Sequence, residues 1–121
     1  MARFMIVDDS LFQRKNLGKM VLLMGGEVVA EASNGKEAVD LYPSSGPDVV
    51  LMDLVMPEME GIEAVEKILE IDREARIVVI SSIGYEEIVK RALSLGAKHF
   101  LTKPVDINQA ANVIMSVLEG P

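Results

Sequence analysis

Acidic residues follow two apolar segments of the chain, and their spacing indicates a site for a cation. Asp8 and Asp9 come directly after the apolar residues 4–7. Asp53 comes directly after a second apolar segment, residues 49–52. Ionised carboxylates repel each other and are costly to remove from water unless a cation or another partner compensates them. If the two segments are neighbouring strands, the three acids form a pocket for a divalent cation beside one nucleophilic aspartate, Asp53.

Strand-like segments alternate with helix-like segments along the whole chain. The strands are predicted at 3–7, 27–31, 48–52, 76–80 and 98–101. The helices are predicted at 10–24, from the cap Asn34 to a turn at 43–47, and at 60–71, 85–95 and 107–118. We expect Ala38, Leu41 and Tyr42 to face the core from the second helix, and the acidic run 58–66 to be the solvated face of the third.

Five successive βα units predict a doubly wound, open parallel sheet. The third and fourth strands are continuous apolar runs, as expected for parallel strands that are covered on both faces. We take the strand order 2-1-3-4-5, which flavodoxin shares, and right-handed crossovers. In such sheets a ligand binds at the carboxyl ends of the strands where the order reverses, here between the first and third strands. Those strands end in the acidic residues.

Size and composition limit the classes of function. The chain has 121 residues, which suits a single domain covering 1–121, and half of them are apolar. It has no cysteine, which excludes disulfides and thiolate metal sites. The net charge of -7 argues against nucleic-acid binding by this chain alone. The apolar runs are too short to cross a membrane, and we expect a soluble, cytoplasmic protein.

The chain resembles the receiver domain of two-component response regulators, in particular the single-domain chemotaxis type. The resemblance covers essentially the whole chain and rests on five features at strand ends. These are Asp8-Asp9 after the first strand, Asp53 after the third, Ser81 after the fourth, Phe100 in the fifth, and Lys103-Pro104 after the fifth. Each feature is weak alone, but the set in this order is specific.

The resemblance implies an acceptor and a metal site. Asp53 would accept a phosphoryl group as an aspartyl phosphate. Asp9, Asp53 and the backbone carbonyl of Val55 would hold Mg²⁺ or Mn²⁺, and Asp8 would act through metal-bound water. Mg²⁺ keeps several of its waters, so two or three protein ligands suffice.

The resemblance also implies contacts to the phosphoryl oxygens and a conformational switch. Lys103 would supply a positive charge, Ser81 its hydroxyl and Ser82 its amide. The bond between Lys103 and Pro104 would be cis. Phosphorylation would draw Ser81 inward, and Phe100 would rotate into the vacated space. The face made by helix four, strand five and helix five would then change shape.

Four positions that bear on the switch and on dephosphorylation carry information. Ser81 stands where many relatives have threonine, and Phe100 stands where the chemotaxis type has tyrosine. Val55 and Ile83 occupy positions that tune dephosphorylation in the family, and both are apolar here. We therefore expect slow self-dephosphorylation, because neither side chain can orient an attacking water.

The resemblance implies protein partners. The phosphodonor would be a histidine kinase, and the output would be binding to a protein target, with the flagellar motor switch as one candidate. Helix five contains no lysine or arginine, which disfavours the charge-paired dimer of many transcriptional receivers. We expect a monomer that binds neither nucleic acid nor membrane.

Other interpretations remain open at this stage. The aspartates can be helix caps, Lys103 a surface lysine and Phe100 a static core ring. An aspartyl phosphatase of the haloacid dehalogenase type would need a second aspartate at the position of Val55. A flavin carrier would need a loop rich in serine, threonine or glycine after the first strand, where this chain has two acids.

Overall fold

The computed structural model describes residues 1–56 and 60–120. The described strands are β1 (Arg3–Val7), β2 (Glu27–Ala32), β3 (Val49–Asp53), β4 (Ile77–Ser81) and β5 (His99–Thr102). The described helices are α1 (Leu11–Leu23), α2 (Gly35–Ser45), α3 (Gly61–Ile71), α4 (Glu86–Leu95) and α5 (Ile107–Glu119). Residues 58 and 59 of the predicted acidic face lie outside the described residues, whereas Glu63 and Glu66 are exposed as expected.

The sheet has the predicted architecture. Its five strands are parallel and lie in the order β2-β1-β3-β4-β5. In the register of the sheet, Val7 lies beside Met52. The carboxyl ends of β1 and β3 are therefore adjacent, and the order of the strands reverses at this point.

The last three strands begin and end one residue later than predicted. Asp53 pairs with Ile80, so Asp53 is the last residue of β3 rather than the first residue after it. Ser81 pairs with Thr102 in the same way at the end of β4. The pairing with a neighbouring strand extends each ladder by one polar residue, and a pattern of apolar residues cannot reveal that extension.

The predicted turn at 43–47 is wrong, because α2 continues to Ser45. Pro43 lies in the last turn of α2, where its missing N–H removes a single helical hydrogen bond. The Ser45 hydroxyl donates to the carbonyl oxygen of Leu41 at 2.7 Å and supports this turn. Gly46 ends the helix with a φ of 56°, a conformation that glycine adopts without strain. Leu41 is exposed rather than directed to the core, unlike Ala38.

Both faces of the sheet are covered. Every residue of β3 and β4 is buried. On one face Val50, Met52 and Val79 pack with side chains of α2, α3 and α4. The other face packs against α1 and α5. Burial of each large aliphatic side chain contributes about 1.5–3 kcal/mol, so the strand ends that carry the acids are held by a rigid core.

Capping residues fix where helices begin beside this core. Ser10 caps α1 by accepting from the amide of Gln13 at 3.3 Å. Asn34 caps α2 by accepting from the amide of Glu37 at 2.8 Å, as predicted. Within residues 1–56 and 60–120, no helix has the length and apolar character that a membrane span requires.

Candidate functional site

Three carboxylates meet at the carboxyl edge of β1 and β3. One oxygen from each of Asp8, Asp9 and Asp53 lies within 4.8 Å of the other two. Asp8 and Asp53 are buried, with 1% and 4% of their surface exposed, whereas Asp9 is exposed. The predicted convergence of these three side chains is confirmed.

Local turns hold the two buried carboxylates. Oδ1 of Asp8 accepts a hydrogen bond from the amide of Ser10 at 3.0 Å. Oδ1 of Asp53 accepts one from the amide of Val55 at 3.2 Å. Aspartate makes such bonds to the backbone two residues ahead wherever a chain turns sharply. Each turn therefore fixes one carboxylate oxygen and leaves the second for other partners.

Lys103 lies between the two second oxygens. Its Nζ is 3.4 Å from Oδ2 of Asp53 and 3.5 Å from Oδ2 of Asp8. The amide of Lys103 donates to the carbonyl oxygen of Ser81 at 2.9 Å, which ties the end of β5 to the end of β4. The peptide bond between Lys103 and Pro104 is cis. Lys103 thus joins the acidic cluster as the resemblance implies.

The cluster fits a divalent cation. Three carboxylates and one ammonium leave two negative charges uncompensated when all four groups are ionised. Oδ2 of Asp8 is buried and accepts no hydrogen bond within the described part of the chain. Its ion pair with Lys103, at 3.5 Å, is shared with Asp53, so the cluster still carries uncompensated negative charge. Mg²⁺ prefers carboxylate and carbonyl oxygens.

Burial raises the pKa of Asp53 above its ordinary value. The negative charge of Asp8 raises this pKa further, whereas the amide of Val55 and the ammonium of Lys103 lower it. The net effect disfavours the ionised form of Asp53 in the absence of additional positive charge. A bound cation would remove this penalty.

Ser81, whose carbonyl oxygen is bonded to the amide of Lys103, borders a cavity together with an aromatic ring. Ser81 is buried at the end of β4, and the neighbouring Ser82 is exposed. Phe100 lies on β5 with 40% of its surface exposed. A mainly apolar cavity of about 320 Å³ is lined by Ser81, Phe100 and Val89, among others. Ser81 and Phe100 therefore border the same cavity, and neither side chain fills it.

The chain matches a known family of domains. Residues 4–115 match the model of the response regulator receiver domain. The chain belongs to the response regulator receiver family. Receivers are signalling switches of two-component systems, and phosphorylation on an aspartate and Mg²⁺ binding are general features of the family.

Within the family, this receiver is of the CheY-like chemotaxis type. It is 45% identical to the chemotaxis protein CheY of Treponema pallidum, over 97% of this chain and 83% of that protein. It is 42% identical to CheY of Thermotoga maritima, over 95% of this chain and 96% of that protein.

Solved structures agree with this assignment. A chain in the crystal structure of the CheX-CheY-BeF3-Mg+2 complex from Borrelia burgdorferi superposes with a TM-score of 0.93. The two chains are 37% identical, and the alignment covers 98% of this receiver and 90% of that chain. The receiver also resembles the response regulator domain of Thermotoga maritima CheB, with 32% identity and a TM-score of 0.86 over 100% and 99% of the two chains.

Arg14 is a residue of this site that the sequence analysis missed. Its Nη1 donates to the backbone carbonyl oxygen of Asp8 at 2.7 Å. Helical side chains lean toward the amino terminus of their helix, so an arginine at the end of the first turn of α1 can reach back to the end of β1. Its position four residues after the cap Ser10 was the available signal.

Proposed function

We propose that this receiver is a phosphorylation-activated switch that takes a phosphoryl group on Asp53 from a histidine kinase. The observation that supports this most directly is the contact of the buried Asp53 with Lys103, within an acidic cluster suited to a divalent cation. A carboxylate used only for stability has no need of two further acids beside it.

In the proposed reaction an oxygen of the Asp53 carboxylate attacks the phosphorus of a phosphohistidine. The new O–P bond forms as the P–N bond breaks, and the electron pair of that bond stays on the imidazole nitrogen. The product is an aspartyl phosphate on Asp53 and a free histidine on the kinase. A small phosphodonor such as acetyl phosphate would react in the same way, with acetate as the leaving group.

Asp9, Asp53 and the carbonyl oxygen of Val55 would hold Mg²⁺ or Mn²⁺, with Asp8 acting through water. The bound cation would offset the repulsion between Asp53 and an incoming phosphoryl dianion and the charge of the transferring group. This assignment is supported by the buried oxygen of Asp8, which lacks a hydrogen bond among the described residues and shares the ammonium of Lys103 with Asp53.

Groups of the protein would receive the phosphoryl oxygens. Lys103 would turn from Asp53 to an oxygen of the transferred group, as a point charge already in place. The hydroxyl of Ser81 and the amide of Ser82 would donate hydrogen bonds to other oxygens. Preorganised donors of this kind stabilise the charge that develops during transfer.

The conformational change at Ser81 would then be transmitted to Phe100. Movement of Ser81 toward the phosphoryl group would widen the cavity of about 320 Å³ that it shares with Phe100. Entry of the exposed aromatic ring would bury apolar surface and so favour the altered state. The face of α4, β5 and α5 would change shape, because Phe100 lies on β5 beside α4.

This face would bind a downstream protein, and the flagellar motor switch is one candidate. The complex of CheX with CheY from Borrelia burgdorferi is a precedent for a protein partner of a related receiver. The receiver would act as a monomer, since α5 offers no cation for a paired interface. Light scattering with and without BeF3 and Mg²⁺ tests this, and a dimer in both states would overturn it.

The proposed function is tested by incubating the protein with acetyl phosphate and MgCl₂ and measuring the intact mass. We expect a single phosphoryl adduct. The adduct should be absent from Asp53→Asn and from wild-type protein treated with a chelator. Folded wild-type protein that gains no adduct would instead indicate a binding module that works without phosphorylation.

A further inference from the structure

Arg14 joins the loop after β1 to the edge strand β2. Besides its bond to the Asp8 carbonyl oxygen, its Nε donates to Oε1 of Glu31 at 3.2 Å. The side chain of Arg14 is 15% exposed, and that of Glu31 is 51% exposed. An ion pair with such an exposed partner contributes little to stability. The contact to Asp8 is therefore the informative one.

The carbonyl of Asp8 lies where the chain leaves the sheet. The amide of Asp8 still donates to the carbonyl oxygen of Ala32, at 3.1 Å. No backbone amide of residues 1–56 and 60–120 donates to the carbonyl oxygen of Asp8, so the guanidinium of Arg14 is its donor. A charge-assisted bond of 2.7 Å is short and directional, and it fixes the peptide plane between Asp8 and Asp9.

The two acids of this loop are held in different ways. The Asp8 carboxylate is fixed by the amide of Ser10. The Asp9 side chain is exposed, and one of its carboxylate oxygens lies within 4.8 Å of Asp8 and Asp53. The position of the Asp9 carboxylate therefore depends on the backbone before it, which is the peptide plane that Arg14 holds.

We propose that Arg14 is a positioning residue for divalent-cation binding, because it holds the Asp8-Asp9 peptide in the orientation that brings Asp9 to Asp53. This inference rests on the proposed function, which requires a cation at the acidic cluster. It also connects the edge strand β2 to that cluster through Glu31.

A purely electrostatic role and a positioning role of Arg14 predict opposite changes in Mg²⁺ affinity when Arg14 is removed. Arg14 is a cation near the acidic cluster, so electrostatics alone predicts tighter Mg²⁺ binding without it. Loss of a contact that orients a metal ligand predicts weaker binding, and such losses reduce metal affinity by about 10–100-fold. The direction of the change therefore separates a positioning role from a purely electrostatic one.

The experiment is a calorimetric titration of MgCl₂ into the metal-free full chain. We expect Arg14→Met to bind Mg²⁺ about tenfold more weakly than wild type. The matched control is Lys15→Met, which removes the same charge from an exposed position on the same helix. We expect it to bind as tightly as wild type or slightly more tightly. Circular dichroism establishes that each variant is folded.

A second measurement separates Mg²⁺ binding from the rate of phosphorylation. In the reaction with acetyl phosphate, the MgCl₂ concentration for half-maximal rate should rise in Arg14→Met, while the rate at saturating MgCl₂ stays near that of wild type. Arg14→Lys keeps the charge but loses the planar donor, and we expect intermediate affinity. If Arg14→Met does not fold, weaker binding by Arg14→Lys supports the proposal and unchanged binding overturns it.

Two negative outcomes have different meanings. If wild type binds Mg²⁺ and Arg14→Met binds it equally or more tightly, the positioning role is wrong and the proposed function stands. If folded wild type does not bind Mg²⁺, the proposed function fails first, and the positioning role fails with it.

Discussion

The ammonium of Lys103 contacts Asp53 and Asp8 at nearly equal distances, 3.4 Å and 3.5 Å between Nζ and the Oδ2 atoms. One ammonium thus compensates two buried carboxylates, one at the end of β3 and one directly after β1. In the proposed reaction Lys103 would have two opposing roles. It would compete with a metal for the acids, and it would assist the incoming phosphoryl anion.

Replacement of Lys103 should separate these roles. In Lys103→Met we expect tighter Mg²⁺ binding, because a competing cation is lost. We expect phosphorylation by acetyl phosphate to be about a hundredfold slower, because a donor to the transferring group is lost. Calorimetry and the rate of adduct formation measure the two effects. The exposed Lys98→Met is the matched control, and weaker Mg²⁺ binding by Lys103→Met would contradict this account.

The raised pKa of Asp53 predicts how stability depends on pH. The folded state binds this proton more tightly than the unfolded state, so metal-free stability falls as pH rises from the ordinary aspartate pKa through the raised value. At neutral pH, Asp53→Asn should therefore have a higher free energy of unfolding than wild type, and the gain should vanish in acid. Urea unfolding across pH measures this. A variant less stable than wild type at neutral pH would contradict it.

Mg²⁺ should make wild type more stable than Asp53→Asn. A free Mg²⁺ concentration of about 100 times the Kd stabilises a folded protein by about 2.7 kcal/mol. We expect this gain for wild type and a much smaller one for Asp53→Asn, which lacks a ligand charge. Equal stabilisation of both proteins would place the cation elsewhere.

The proposed inward rotation of Phe100 can be tested with fluorinated phenylalanine. The chain has three phenylalanines, of which Phe4 is buried, Phe12 is 71% exposed and Phe100 is 40% exposed. Addition of BeF3 and Mg²⁺ should shift the ¹⁹F resonance of Phe100 and reduce its exposure to a soluble paramagnet. Phe100→Leu assigns the signal. An unshifted Phe100 signal in a protein that binds BeF3 would make this ring a static part of the structure.

Much of the fold and of the acidic cluster could be predicted from the sequence, because the informative signals are local. Continuous apolar runs predict parallel strands, and two acidic strand ends predict a site where the strands adjoin. The end of α2 could not be predicted, because proline normally signals a turn, whereas Pro43 lies in the last helical turn, where the Ser45 hydroxyl donates to the carbonyl oxygen of Leu41. Arg14 was missed because its partner is a backbone carbonyl, which leaves no residue type to recognise.

Slow loss of the phosphoryl group is expected from the apolar residues at the mouth of the site. Val55 is 44% exposed and Ile83 is 80% exposed, and neither can hold a water in line with phosphorus. Val55→Asn supplies an amide at that position and should speed dephosphorylation about tenfold. Intact mass after removal of acetyl phosphate measures the decay. Val55→Leu is the apolar control, and equal decay in the two variants would contradict the explanation.

In the proposed function, Asp53 itself carries the phosphoryl group. Borohydride reduces an acyl phosphate to an alcohol with release of phosphate, and therefore converts a phosphorylated aspartate into homoserine. Peptide mapping after phosphorylation and reduction should find homoserine at position 53 and intact aspartate at positions 8 and 9. Homoserine at position 8 or 9, with Asp53 unchanged, would contradict the account.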